Sequence, residues 1–115
     1  MNIQRIQPNV RMSAAVVHNG FVFVSGQVAD DTNADVAGQT KQILDKIDRI
    51  LAEAGSSKER VLSANIWIAE ASTFNEMNSV WDAWVPAGNT PARACVESKL
   101  AFPQYTVEIG VIAAV

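Results

Sequence analysis

Residue types capable of chemistry lie closest together in the stretch Thr90-Pro91-Ala92-Arg93-Ala94-Cys95-Val96-Glu97. On an extended chain side chains alternate, so Arg93, Cys95, Glu97 and Lys99 share one face, with Ala94, Val96 and Ser98 opposite. A guanidinium placed just after a Pro-Ala pair, near a strand end, can grip a carboxylate through two parallel hydrogen bonds, which lysine cannot imitate. The competing reading of Arg93 is a surface arginine paired with Glu97 or Glu108, an arrangement of small energetic worth. Glu108 stands between Val107 and Ile109 in an otherwise apolar strand. Such surroundings disfavour the ionised carboxylate and raise its pKa toward values useful for proton transfer. Alternatively Glu108 partners Arg93 or faces solvent at an edge. Were the last two strands a tight hairpin, Glu108 would lie near Glu97, with Arg93 four residues, about 13 Å, further along. Arg93 and Glu108 then belong to one site only if the chain pairs otherwise or a second subunit completes it.

The other reactive side chains offer less. Cys95 is the only cysteine and His18 the only histidine. His18 falls at a hairpin turn and no second base is evident, so Cys95 reads as a buried strand residue rather than a nucleophile. One thiol and one imidazole make neither a disulfide nor a zinc site. Ser25-Gly26-Gln27 ends a strand, where a glycine lets a ligand approach the main chain or simply forms a bulge. The glycine-containing stretches match no phosphate-cradling pattern. Trp81 and Trp84 have helix-core spacing.

Composition narrows the partners. A net charge of −3 with no polybasic run argues against nucleic acid or an anionic membrane. The first ten residues contain no apolar core of a signal peptide, and the longest apolar run, Val111–Val115, is far short of a membrane span. A soluble protein of the reducing cytoplasm is expected. The 115 residues fit one domain, 1–115, but 49% of them are hydrophobic, more than a lone small core hides.

The spacing of apolar residues predicts the elements that hold these groups. Ala14–Val17 and Phe21–Val24 form a hairpin about Asn19-Gly20, whose residues can supply positive φ. Val36, Thr40, Ile43, Ile47, Ile50 and Ala54 give a helical stripe, with Asp35 as N-cap and Gly55 just past the C-terminus. Val61–Ala69 reads as a strand with Leu62, Ala64, Ile66 and Ile68 on one face. A second helix carries Phe74, Met77, Trp81 and Trp84 inward behind a Thr73/Glu76 capping box, and ends at Pro86 and Gly88. Strands near Ala92–Leu100 and Thr106–Ala114 follow, with a short edge strand near Ile3–Gln7. The order β-β-β-α-β-α-β-β implies an α+β fold with both helices on one face of a mixed sheet. The other face is not polar either: Phe21 and Phe23 point opposite Val22 and Val24, and Val107, Ile109, Val111 and Ala113 point opposite Ile112 and Ala114. A sheet apolar on both faces with helices for only one predicts a homo-oligomer.

Several of these segments resemble one family. PARACVESKLAFPQYTVEIGVIAAV is similar to the C-terminal signature of the RidA/YjgF family, a Pro-Ala-Arg followed after a strand and loop by an aliphatic-Glu-Ile. Phe23 to Val28 resembles its strand ending in Ser-Gly-Gln, and Phe74 to Trp84 its second helix, with Asn78 at a recurrent position. Asp82-Ala83-Trp84 and Arg11-Met12-Ser13 resemble the YoaB-like branch. The resemblance implies a chorismate-mutase-like fold assembled as a homotrimer with clefts between subunits. It implies hydrolysis of small 2-imino acids to 2-keto acids and ammonia, without a cofactor. Arg93 would clamp the substrate carboxylate and Glu108 would orient or deprotonate water, with Cys95, Gly26, Asn78 and Met12 around the substrate. Met12 stands where the deaminase branch carries a tyrosine. A small-carboxylate-binding protein on the same scaffold is the alternative.

Overall fold

The computed structural model describes residues 2–115. Strands β2 (Ala15–His18) and β3 (Phe21–Gln27) form the expected hairpin. Asn19 and Gly20 both take positive φ, 52° and 82°, and His18 pairs with Phe21. That is the primed turn whose twist suits adjoining strands. β1 (Gln4–Ile6) adds to the outer edge of β2.

Helix α1 (Val36–Glu53) begins and ends where local chemistry requires. The Asp35 carboxylate accepts the Gly38 amide proton at 2.8 Å. At the far end Gly55 adopts φ 81°, its N–H donates to the Ala52 carbonyl, and the Ser56 N–H donates to Leu51. These bonds satisfy carbonyls that the helix itself leaves open. Ile43, Leu44, Ile47 and Leu51 are buried against the sheet.

Strand β4 (Val61–Ile68), helix α2 (Phe74–Trp84) and strand β5 (Ala92–Glu97) form a strand–helix–strand crossover, with β5 parallel to β4. β6 (Val107–Ala114) does not hairpin with β5. It enters the centre, antiparallel to both β3 and β4, in a sheet ordered β1-β2-β3-β6-β4-β5. The physical reason is its composition: Val107, Ile109, Val111 and Ala113 are almost wholly buried beneath the helices, and a central strand can be covered as an edge strand cannot. Both helices lie on one face. No helix among the described residues is long and apolar enough to cross a membrane.

Three local expectations need correction. Leu62 is 47% exposed while Val61 is buried, because a register shift between Val61 and Ser63 inserts a bulge that turns Leu62 to the opposite face. Phe74 is 40% exposed and lies outside the buried stripe of Met77, Trp81 and Trp84. Thr73 and Glu76 form no capping box. Thr73 sits in a 3₁₀ turn, away from the extended backbone that an N-cap needs, and its hydroxyl donates to the Glu70 carbonyl. Glu76 instead accepts the Ala37 N–H at the start of α1.

The face away from the helices carries Phe21, Phe23, Leu62 and Val96, each more than two-fifths exposed. Their strand neighbours Ile112 and Trp67 are half-buried on the same side. This is the doubly apolar sheet expected from the composition.

Candidate functional site

Arg93 lies on the edge strand β5, in register with Ala64 of β4, so its side chain leaves the sheet on the helical face. There it meets α2. Its Nη1 donates to the Asn78 Oδ1 at 2.7 Å, and its guanidinium lies 5.2 Å from the Trp81 ring centroid and 5.8 Å from that of Phe74. Stacking and one neutral acceptor orient the fork without neutralising it. Among the described residues the ion pairs are Lys41–Asp45 and Lys46–Asp30, so neither Glu97 nor Glu108 pairs with Arg93. Glu97 is otherwise engaged, accepting the Ala71 N–H at 2.8 Å. Two residues from Arg93 on the same face, Cys95 is half-buried against the core. Burial pushes its thiol pKa up and the nearby guanidinium pulls partly the other way.

Glu108 is half-buried and pairs with Trp67, so it leaves the sheet on the face without helices. Its immediate neighbour is Gly26. Between the pairs Val24–Val111 and Gln27–Ile109 strand β3 has one residue too many, and Ser25 and Gly26 together oppose Gly110. The Ser25 hydroxyl and N–H both donate to the Ala14 carbonyl, which anchors this bulge to β2. Met12, 51% exposed, lies in the loop leading to β2. Asn9 holds that loop by accepting the N–H groups of Arg11 and Met12 and donating its own N–H to the Met12 carbonyl.

The expected site residues therefore fall into two groups. Arg93, Asn78 and Cys95 stand together at one edge of the helical face. Glu108 and Gly26 stand together on the opposite face. The register separates the Arg93 and Glu108 backbones by two strand spacings and three residues, about 14 Å. One chain does not bring them together. Two cavities of the single chain are lined elsewhere: one of about 220 Å³ lies between α1 and α2, another of about 320 Å³ beside Phe102 and Tyr105. His18 sits at the hairpin, its Nδ1 3.0 Å from the Asn2 carbonyl.

The roles of three residues escaped the reading of the sequence. Phe74 and Trp81 belong to the arginine's seat; the signal was their helical spacing with Asn78, which places all three beside one another on α2. Gln39 is wholly buried, donates to the Ala34 and Gln104 carbonyls, and accepts the Thr106 N–H, fixing the segment that leads into Glu108. A polar residue beside the apolar stripe of α1, next to Thr40, was its only trace.

Comparison with known proteins gives a consistent answer. The profile of the family described as Endoribonuclease L-PSP matches residues 2–115. The RutC family protein YoaB of Escherichia coli is 42% identical over 115 residues, all of both chains. The crystal structure of a YjgF family member from Neisseria meningitidis superposes with a TM-score of 0.96 at 48% identity, covering 99% of this chain and 95% of that one. A conserved Rid family protein from Yersinia pestis gives a TM-score of 0.86 at 31% identity, over 94% and 90% of the two chains.

Proposed function

The chain belongs to the Endoribonuclease L-PSP (YjgF/Rid) family, and from that premise we propose that it hydrolyses small 2-imino acids to 2-keto acids and ammonia in clefts between its subunits. The observation that carries this reading is the state of Arg93. Its guanidinium is held by Asn78 and two aromatic rings, yet no carboxylate of the described chain neutralises it. Such a fork is ready for the carboxylate of a ligand, bound bidentately. The complementary feature is Glu108, on a face whose exposed phenylalanines call for cover. A second copy laid against that face covers the rings and brings its own Arg93 edge toward Glu108. We assign that partner to the chain itself, in a homotrimer.

In such a cleft Arg93 binds the substrate carboxylate, which fixes the imine carbon relative to water. Water adds to that carbon as its proton passes to the Glu108 carboxylate. The proton is then delivered to the amino nitrogen, and the C–N bond breaks as the hydroxyl proton passes to Glu108; a 2-keto acid and ammonia leave, the ammonia carrying that proton away as ammonium. The protonated imine is itself the electrophile. Cys95 contributes a wall of the cleft through its main chain.

Binding of 2-keto acids without turnover is the second reading, favoured by Met12. Its exposed thioether offers no phenolic hydroxyl to a substrate or water. RNA is disfavoured as a substrate by the net charge of −3.

The test generates 2-iminopropionate enzymatically and follows its disappearance with and without the protein. Acceleration by the wild type, lost about 100-fold or more in Arg93→Ala, is expected. Equal acceleration by the variant overturns the proposal. Calorimetric binding of a 2-keto acid that requires Arg93, in the absence of turnover, establishes the binding role instead. Sedimentation of the wild type as a stable monomer would remove the shared cleft.

A further inference from the structure

Gly26 and Glu108 are placed so that one occupies the space the other leaves. A Cβ added to Gly26 would stand 2.9 Å from the Glu108 Cδ and 3.1 Å from its Cγ, and would overlap the carboxylate oxygen Oε2. The glycine is not demanded by the backbone, since its φ lies outside the positive region in which Gly20, Gly55 and Gly88 are found. What it supplies is room. The room exists because the bulge in β3 sets Ser25 and Gly26 together against Gly110, beside the strand that carries Glu108. The requirement is one-sided: a Cβ at Gly110 would lie 3.4 Å from the Val24 carbonyl oxygen and 3.7 Å from the Gly26 Cα, distances that ordinary packing tolerates or nearly so.

We infer that Gly26 is a positioning residue for Glu108, its missing side chain being the seat of that carboxylate. The sequence offered Gly26 as a place where a ligand approaches the main chain, but on this side the approach is taken by Glu108. Any side chain at position 26 swings the carboxylate off the bulge and away from the reacting water. The inference rests on the proposed role of Glu108 for its kinetic consequence, though not for its geometry.

The experiment compares wild type, Gly26→Ala, Glu108→Gln and the double variant by crystallography and by imine turnover. In Gly26→Ala the Glu108 carboxylate is expected to rotate off the bulge while β3 and β6 keep their places. Turnover should fall by about 100-fold, toward that of Glu108→Gln, with the affinity for a 2-keto acid within about twofold of wild type because Arg93 is untouched. The double variant should be no slower than Glu108→Gln, as expected when two residues act through one group. A carboxylate that stays in place in the Gly26→Ala crystal structure, or an additional loss in the double variant, overturns the inference. If Gly26→Ala fails to fold, Glu108→Ala in the same chain should restore folding by relieving the overlap; failure of that chain to fold also overturns it. Absence of wild-type turnover defeats the proposed function alone, and the crystallographic comparison still decides the placement of Glu108.

Discussion

Cys95 shares a strand face with Arg93, and a thiol beside a guanidinium suggests a nucleophile. Burial decides otherwise. Desolvation raises the thiol pKa more than the neighbouring charge lowers it, so the neutral thiol prevails at neutral pH. Because the folded-state value lies above that of the unfolded chain, the associated stabilisation is complete below the ordinary thiol pKa and is lost as pH rises through the raised one. Alkylation of Cys95 by iodoacetamide should therefore show a midpoint above that of a free cysteine. In Arg93→Ala the midpoint should climb further, since the group that lowers it is gone. A midpoint below the free-cysteine value, measured by mass spectrometry across a pH series, contradicts this account. Arg93 itself shows how a residue type can be legible while its company is not. The Pro-Ala-Arg spacing marked the guanidinium, but the rings that seat it come from another element.

At the scale of elements, those defined by local chemistry were readable along the chain. Asp35, Gly55 and Asn19-Gly20 act through atoms a few residues away, and each does what its type and position require. What escaped depends on distant pairing. Leu62 obeys strand alternation until the bulge at β4, which is set by its pairing with β6. Glu76 has capping-box spacing, but the N–H its carboxylate accepts belongs to another helix. Strand parity gave the faces within β5 and within β6, but only the sheet order relates one strand to the other, so the opposed directions of Arg93 and Glu108 were not legible. Gln39 couples α1 to the segment before β6 and permits a direct test. Gln39→Leu leaves the Thr106 N–H and two carbonyls without their partner. The Gln104 carbonyl belongs to an exposed residue and can turn to water, so the cost falls on the other two groups, at about 1–3 kcal/mol for each one left unsatisfied. A loss of roughly 2–4 kcal/mol in urea denaturation is expected, along with faster amide exchange at Thr106. Unchanged stability and unchanged exchange would show that the amide fixes nothing.

For the molecule as a whole, the sheet is a partition. On one side are the helices, the core and the arginine at the rim; on the other are the bulge, the glutamate and the exposed rings. The apolar surplus in the composition is concentrated on that second side, where covering each half-exposed phenylalanine is worth on the order of 1 kcal/mol. That a covered face was needed could be read from strand alternation and from the helix count. The proposal that the cover also supplies the missing half of the site rests on the separation of Arg93 from Glu108 across the sheet. The same separation has a consequence in the language of alleles. Two chains that are each inactive, one carrying Arg93→Ala and the other Glu108→Gln, are defective in different halves. Unfolded together in equal amounts and refolded, they should regain about a quarter of wild-type turnover, because random assembly joins an intact arginine to an intact glutamate at that frequency. Two copies of either defective gene in one cell stay silent, whereas one copy of each complements, as if a single small polypeptide were two cistrons.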